Sequence, residues 1–184
     1  MPKPRPPAKH PVLKGITERS FLTGPDPDEE RELDVDTIFG KPWARVLSEM
    51  IACDPGCLDP DPNGVETPSD LRPGYAFRPV AAGLLLVAPG GSLAGGYLSC
   101  DVSVDEAHQG LGLGAELIAE HFLRSGDTPT WSLDTAAYSP AGEAAHRAAY
   151  RLMRARPELV DKKLSRFEIP NPHPAAAPGP RGPR

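Results

Sequence analysis

In the first long stretch where apolar side chains recur regularly, they recur with the period of a helix. In residues 37–52, TIFGKPWARVLSEMIA, large apolar side chains recur every three or four positions, as on one face of an amphipathic helix. These side chains are Trp43, Val46, Leu47, Met50 and Ile51. Apolar runs over 75–81, 83–88 and 95–104 are separated by Gly- and Pro-rich breaks such as APGGS, which is the pattern of consecutive antiparallel strands. The pattern therefore predicts a helix followed by an antiparallel meander.

After the meander the period becomes helical again. Glycines lead into an amphipathic helix that ends near Arg124, a short strand (TWSL) follows at 130–133, and an alanine-rich helix spans about 141–156. The segment KLSRFEI, 163–169, alternates imperfectly and is interpreted as a last strand. Strands, helix, strand and helix in this order predict a single α/β (α+β) domain, with a mixed, mostly antiparallel central sheet flanked by helices.

Composition divides the chain into a packed part and two tails. Its 184 residues include 24 prolines, more than twice the average share of about 5%. Prolines concentrate at both ends and in the irregular loop 53–74. We expect residues 1–30 to form a flexible Pro-rich and acidic arm, 31–169 to form the domain, and 170–184 to be a disordered tail.

Charge and cysteine content exclude several classes of protein. With a net charge of −5 and a pI near 5.5, the chain is not expected to bind nucleic acid or a membrane surface. It has no apolar run of the about 20 residues that a membrane span needs and no signal-peptide pattern, so we predict a cytoplasmic protein. Cys53 and Cys57 lack two further ligands at zinc-site spacing, so no metal site is predicted.

Three glycines open the helix in HQGLGLGAELIAEH, residues 108–121, and suggest an anion site. Backbone N–H groups at a helix N-terminus bind phosphate, and glycine lets a ligand approach the backbone closely. A nucleoside-triphosphate loop is excluded, because Ala115 and the residue after it stand where Lys and Ser or Thr are required. The dinucleotide pattern G-x-G-x-x-A fits at 110–115 with Asp134 downstream, but the antiparallel strands upstream disfavour it. A plain tight turn remains the structural alternative.

A third interpretation uses the residues on both sides of the glycines. The segment VSVDEAHQGLGLGAELI resembles the acyl-coenzyme A signature of the GNAT superfamily of N-acetyltransferases. In that signature, Gln or Arg, two variable residues, Gly, one variable residue, and Gly or Ala follow one another, and here Gln109, Gly112 and Gly114 take those positions. The family also places a strand before this motif, and a strand and a Tyr-bearing helix after it. The resemblance extends over about residues 75–156.

This resemblance implies that acetyl-CoA is the co-substrate and that the backbone holds it. The strand at 102–104 would bind the pantetheine arm, and the glycine turn would bind the pyrophosphate. The implied cofactor-binding residues are Val102, Ser103, Val104, Gln109, Gly110, Leu111, Gly112, Leu113, Gly114 and Ala115.

For catalysis, the resemblance implies that Tyr150 is the acid for the departing thiolate, with a packing role as the open alternative. Asp134 and Asp101, near the ends of two strands, are candidates for the general base. His146 lies one helical turn before Tyr150 and is either its companion or a boundary residue.

The predicted function is transfer of an acetyl group from acetyl-CoA to a primary amine of a small molecule or peptide, and a homodimer is compatible with it. The chain lacks the Asn and the Gly-Phe that the family commonly carries near its last helix. The alternative is therefore an inactive protein of the same fold, which binds acyl-CoA as a regulatory or interaction module.

Overall fold

The computed structural model describes residues 10–21, 41–99, 101–125 and 139–167. The α-helices are α1 (Glu18–Phe21), α2 (Trp43–Cys53), α3 (Leu113–Ser125), α4 (Pro140–Ala155) and α5 (Pro157–Phe167). The strands are β1 (Thr67–Pro68), β2 (Ala76–Val80), β3 (Gly83–Val87), β4 (Leu93–Leu98) and β5 (Asp101–Val104). Two 3-10 turns, Pro11–Leu13 and Glu106–His108, complete the described elements.

The strands form one antiparallel sheet in the order β1-β2-β3-β4-β5, so the predicted meander is confirmed. One detail of the prediction is wrong, because the single strand expected at 95–104 is two strands. The chain reverses after Leu98, where Ser99 has a left-handed φ of 53°. Leu98 then pairs with Asp101 across the reversal. This turn makes β5 the edge strand of the described sheet.

Helices cover both faces of the sheet, which gives the single-domain α/β architecture that the sequence predicts. The larger core lies between one face and helices α1, α3 and α4, where Leu117 and Ile118 are fully buried as expected. The smaller core lies under α2, where Trp43 and Val46 pack against apolar side chains of β2, β3 and β4.

Part of the segment predicted as a flexible arm is packed. Leu13 and Phe21 are fully buried in the larger core. The ring of Phe21 lies 5.4 Å from that of Phe122 and 5.7 Å from that of Tyr150. The packed domain therefore includes residues on the N-terminal side of position 31, because Leu13 is buried in the larger core and Phe21 packs against rings of α3 and α4.

The last strand predicted at 163–169 is wrong for its described residues, because 163–167 belong to helix α5. In α5, Leu159, Val160 and Lys163 are buried, which is the three-to-four-residue period of a helix. Lys163 is 1% exposed, and its Nζ lies 3.0 Å from a carboxylate oxygen of Glu116 and 2.7 Å from one of Glu120. These ion pairs neutralise the charge of the buried lysine.

Other predictions fall outside the described residues. These are the strand at 130–133, Asp134, and the tail from 170 onwards. Within the described residues, no helix is both long enough and apolar enough to span a bilayer, and no group of three His, Cys, Asp or Glu side chains is placed to hold a metal ion.

Candidate functional site

A cavity of about 1190 Å³ opens along the outer edge of β5. Its walls are β5, the glycine turn with the start of α3, the first half of α4, and the segment that leads into α2. The cavity brings together nine of the ten predicted cofactor-binding residues, all except Leu111. They are Val102, Ser103, Val104, Gln109, Gly110, Gly112, Leu113, Gly114 and Ala115.

The hydrogen-bond alternation of the sheet decides which β5 groups face this cavity. The N–H of Asp105 donates to the carbonyl of Ala94 (2.9 Å), so the next bonded pair is Ser103 with Gly96. Val102 and Val104 are the non-bonded positions, so their backbone groups point away from β4. Within the described residues no other strand covers that edge. One of its carbonyls, that of Val104, accepts a hydrogen bond from the Gln109 side-chain amide at 2.8 Å.

The turn after β5 is shaped by two glycines in the left-handed region. Gly110 has φ +73° and Gly112 has φ +80°, which other residues rarely adopt. A Cβ added at Gly110 would meet no protein atom within 4 Å, so this side of the turn is open. Helix α3 follows at once, and the N–H groups of its first turn have no acceptor within the helix. The turn therefore offers backbone donors at the positive end of a helix dipole.

A second helix N-terminus borders the same cavity. Ser139 caps α4, since its Oγ accepts from the N–H of Gly142 at 3.1 Å. Three of the cavity walls, β5, α3 and α4, meet at Gly114, where an added Cβ would lie 3.7 Å from Cγ2 of Val104 and 3.9 Å from Cβ of Ala145. The α4 residues that line the cavity have small side chains, which leave the cleft wide and apolar along this wall. The cleft is thus bordered by two helix starts and has an apolar wall beside the free strand edge.

The loop before β2 forms hydrogen bonds with the glycine turn and with the residues just before it. These contacts were not predicted from the sequence. Nε of Arg72 donates to the carbonyl of Leu111 at 2.8 Å. The hydroxyl of Tyr75 and Nδ1 of His108 share a hydrogen bond of 2.8 Å. The loop was expected to be irregular because of its Pro, Asp and Gly content, and its sequence carries no signal for contacts with residues 33 to 39 positions later.

Buried charged side chains fix the position of the first turn of α3. Glu116 is fully buried and accepts hydrogen bonds from the Ser69 hydroxyl (2.5 Å), the N–H of Asp70 (2.7 Å) and Nζ of Lys163 (3.0 Å). Burial lowers the pKa of Lys163, but attraction to Glu120 and Glu116 outweighs burial and raises it above the ordinary value. Lys163 therefore stays charged, and its ammonium joins α5 to α3 behind the glycine turn.

Lys41 lines the cavity in the segment that leads into α2. Its Nζ is 3.2 Å from a carboxylate oxygen of Glu49 and 3.3 Å from one of Asp101. Although partial burial lowers the pKa of Lys41, hydrogen bonds and attraction to Glu49 and Asp101 outweigh it and raise that pKa. The Oγ of Ser103 donates to the Lys41 carbonyl at 2.9 Å, which fixes the segment before α2 against β5. Asp101, a predicted base, is thus an ion-pair partner of Lys41.

Tyr150 does not line the cavity. Its side chain is 1% exposed, and its hydroxyl donates to the carbonyl of Ile16 at 3.2 Å. This position corresponds to the packing alternative for Tyr150. His146 is also buried, and its Nδ1–H donates to the carbonyl of Gly142 at 2.8 Å. Burial and the nearby charge of His121 outweigh that bond and lower the pKa of His146 to about 4, so this imidazole is neutral at pH 7.

Comparison of the chain with family models, with curated proteins and with solved structures finds no match. The resemblance to N-acetyltransferases therefore depends on the motif residues alone.

Proposed function

We propose that the protein binds acetyl-CoA in the cleft beside β5 and transfers the acetyl group to a primary amine. One observation carries the proposal: the free edge of β5, the glycine turn and the start of α3 border a single cavity. These are the parts that the acyl-CoA signature assigns to the cofactor.

The residues present fit such a cofactor at both ends of the cleft. Gly110 and Gly112 leave the turn open to a phosphate, and the first N–H groups of α3 are available as donors. Along β5, the N–H and carbonyl of Val102 and the N–H of Val104 can pair with the amides of a pantetheine arm as an added strand would. Acetyl-CoA would supply an activated acetyl group as a thioester.

The chain would contribute orientation and charge stabilisation. A backbone N–H at the β5 edge can donate to an oxygen that becomes negative during acyl transfer, and a fixed donor of this kind needs no reorganisation. Asp101 pairs with Lys41 and is not among the residues that line the cleft, so the proposal does not depend on it as the general base. The proposal does not depend on Tyr150, because its hydroxyl is bonded to Ile16 away from the cleft.

A second candidate function is acyl-CoA binding without catalysis, as in a regulatory or interaction module. The buried position of Tyr150 favours it, since the described cleft then lacks the acid expected for the thiolate. Release of free thiol from acetyl-CoA, measured against a panel of small amines, aminoglycoside antibiotics and peptides, separates the two functions. Thiol release with an acceptor supports the transferase, whereas tight binding without release supports the module.

Binding itself is tested with a pair of matched glycine variants. Gly110 and Gly90 both have positive φ, and at neither would an added Cβ meet a protein atom within 4 Å, but only Gly110 borders the cleft. Gly110→Ala and Gly90→Ala should each lose about 1 kcal/mol of stability from backbone strain. Acetyl-CoA should raise the melting temperature of the wild type and of Gly90→Ala, and much less that of Gly110→Ala. A wild-type melting temperature that does not change at saturating acetyl-CoA refutes the proposed function.

A further inference from the structure

The cleft offers little unpaired positive charge for a polyanionic ligand. Among the described residues that line it, Lys41 is the one lysine or arginine, and two carboxylates already lie within 3.3 Å of its ammonium. Asp105 and Glu106 add negative charge at the glycine turn. Helix N-termini compensate part of a phosphate charge, about half an elementary charge each. A pyrophosphate at this turn therefore calls for a further cation.

Arg72 is not among the residues that line the cavity, but its guanidinium is hydrogen-bonded to the glycine turn that borders the cavity. Its Nε donates to Leu111, the residue between the two left-handed glycines, at 2.8 Å. Its backbone is fixed as well, because the N–H of Arg72 donates to the Ser69 hydroxyl at 2.9 Å and its carbonyl accepts from Tyr75 at 3.2 Å. The guanidinium is thus held against the turn by one of its donors.

The rest of the Arg72 guanidinium is available to a ligand. Arg72 is exposed, and in the part of the chain that the structure describes its Nη groups have no acceptor and no carboxylate lies within 4 Å. Other cations near α3 differ in this respect, since Arg166 forms two hydrogen bonds with the Asp70 carboxylate. A guanidinium with both Nη groups free matches the fork of two phosphate oxygens.

We propose that Arg72, beside the cleft, is a phosphate-binding residue that holds the glycine turn through Nε while its Nη groups bind a phosphate of the nucleotide cofactor. The inference rests on the proposed binding of an acyl-CoA. It adds to that function a charged contact from a loop about 40 residues before the turn, outside the acyl-CoA signature.

The test uses a substitution that separates charge from anchoring. In Arg72→Gln, the amide nitrogen lies the same number of bonds from Cα as Nε of arginine, so donation to Leu111 is retained while the charge is removed. Arg156→Gln is the matched control: it removes the same charge from an exposed arginine, paired with Glu158, at the far end of α4. Affinities for coenzyme A, dephospho-coenzyme A and pantetheine are measured by calorimetry at low and at physiological ionic strength.

We expect Arg72→Gln to bind coenzyme A about tenfold or more weakly than the wild type at low ionic strength, with a reduced salt dependence. Pantetheine, which has no phosphate, should bind wild type and variant equally, and Arg156→Gln should bind all three like the wild type. Loss of affinity for both nucleotides assigns the contact to the pyrophosphate, and loss for coenzyme A alone assigns it to the 3′-phosphate.

Two results would overturn the inference while leaving the proposed function intact. One is wild-type affinity of Arg72→Gln for coenzyme A. The other is an equal loss of affinity for pantetheine, which would show a distorted turn instead of a missing charge. If the wild-type chain binds neither coenzyme A nor dephospho-coenzyme A, the proposed function fails and this inference fails with it.

Discussion

Asp70 is the residue whose charge the fold stabilises most clearly, and its removal makes a quantitative prediction. Its side chain is 5% exposed and receives hydrogen bonds of 2.8 and 2.9 Å from Arg166. Nζ of Lys162 lies 2.6 Å from one carboxylate oxygen, and Nζ of Lys163 lies 3.3 Å from the other. Asp70→Asn removes the anion and leaves three cations facing a neutral amide, so the folded state should lose stability at neutral pH.

The magnitude follows from the pKa of the carboxyl group. Burial raises the pKa of Asp70, but hydrogen bonds from Arg166 and Lys162 outweigh burial and lower it from 3.8 to about 2. A shift of this size corresponds to about 2 kcal/mol of stability. Because the pKa is lower in the folded state, the contribution is complete above the unfolded value of 3.8 and is lost as the pH falls through about 2.

Urea unfolding between about pH 7 and pH 2 measures this contribution. Asp70→Asn should be about 2 kcal/mol less stable than the wild type at neutral pH, and the difference should close as the wild-type carboxyl is protonated. Asp161→Asn is the control, because its side chain is 72% exposed and an exposed ion pair contributes about 0–1 kcal/mol. A difference that stays constant across the whole pH range would refute the reasoning.

Two further predictions concern buried groups. Lys163→Met should lower the free energy of unfolding by about 3–5 kcal/mol, because Glu116 and Glu120 then remain buried without their shared cation. A loss below about 1 kcal/mol in chemical unfolding would contradict this, and Lys163→Met combined with Glu120→Gln should recover part of the loss. Tyr150→Phe should cost about 1 kcal/mol through the lost bond to Ile16, with an unchanged kcat for acetyl transfer. A kcat about tenfold lower at normal acetyl-CoA affinity would instead support Tyr150 as the acid.

The candidate turn could be predicted because its signals are local. Gly110 and Gly112 adopt left-handed conformations within eight residues of the strand that precedes them, and Gln109 bonds back to Val104 across the same short segment. The helix that follows has an apolar period that can be seen within four turns. A motif of this kind is contained in one stretch of chain, so residue types and spacing suffice to predict it.

A strand was predicted over the residues of β5, but its position at the edge of the sheet was not. The run 95–104 has strand composition throughout, and composition alone does not show that the chain reverses at Ser99. The reversal makes β5 an edge strand, and the pairing with β4 then decides that Val102 and Val104, and not Ser103, present backbone groups to the cleft.

The helices α2, α3 and α4, the antiparallel order of the strands and the glycine turn can be predicted from the sequence, because each depends on periodicity or turn chemistry within a short window. The sequence pattern does not show that α5 is a helix with a buried Lys163, that Tyr150 packs on Phe21, or that Arg72 reaches Leu111. These contacts join residues 39 to 134 positions apart, and their free energy comes from burial and charge pairing that exist only after the chain has folded.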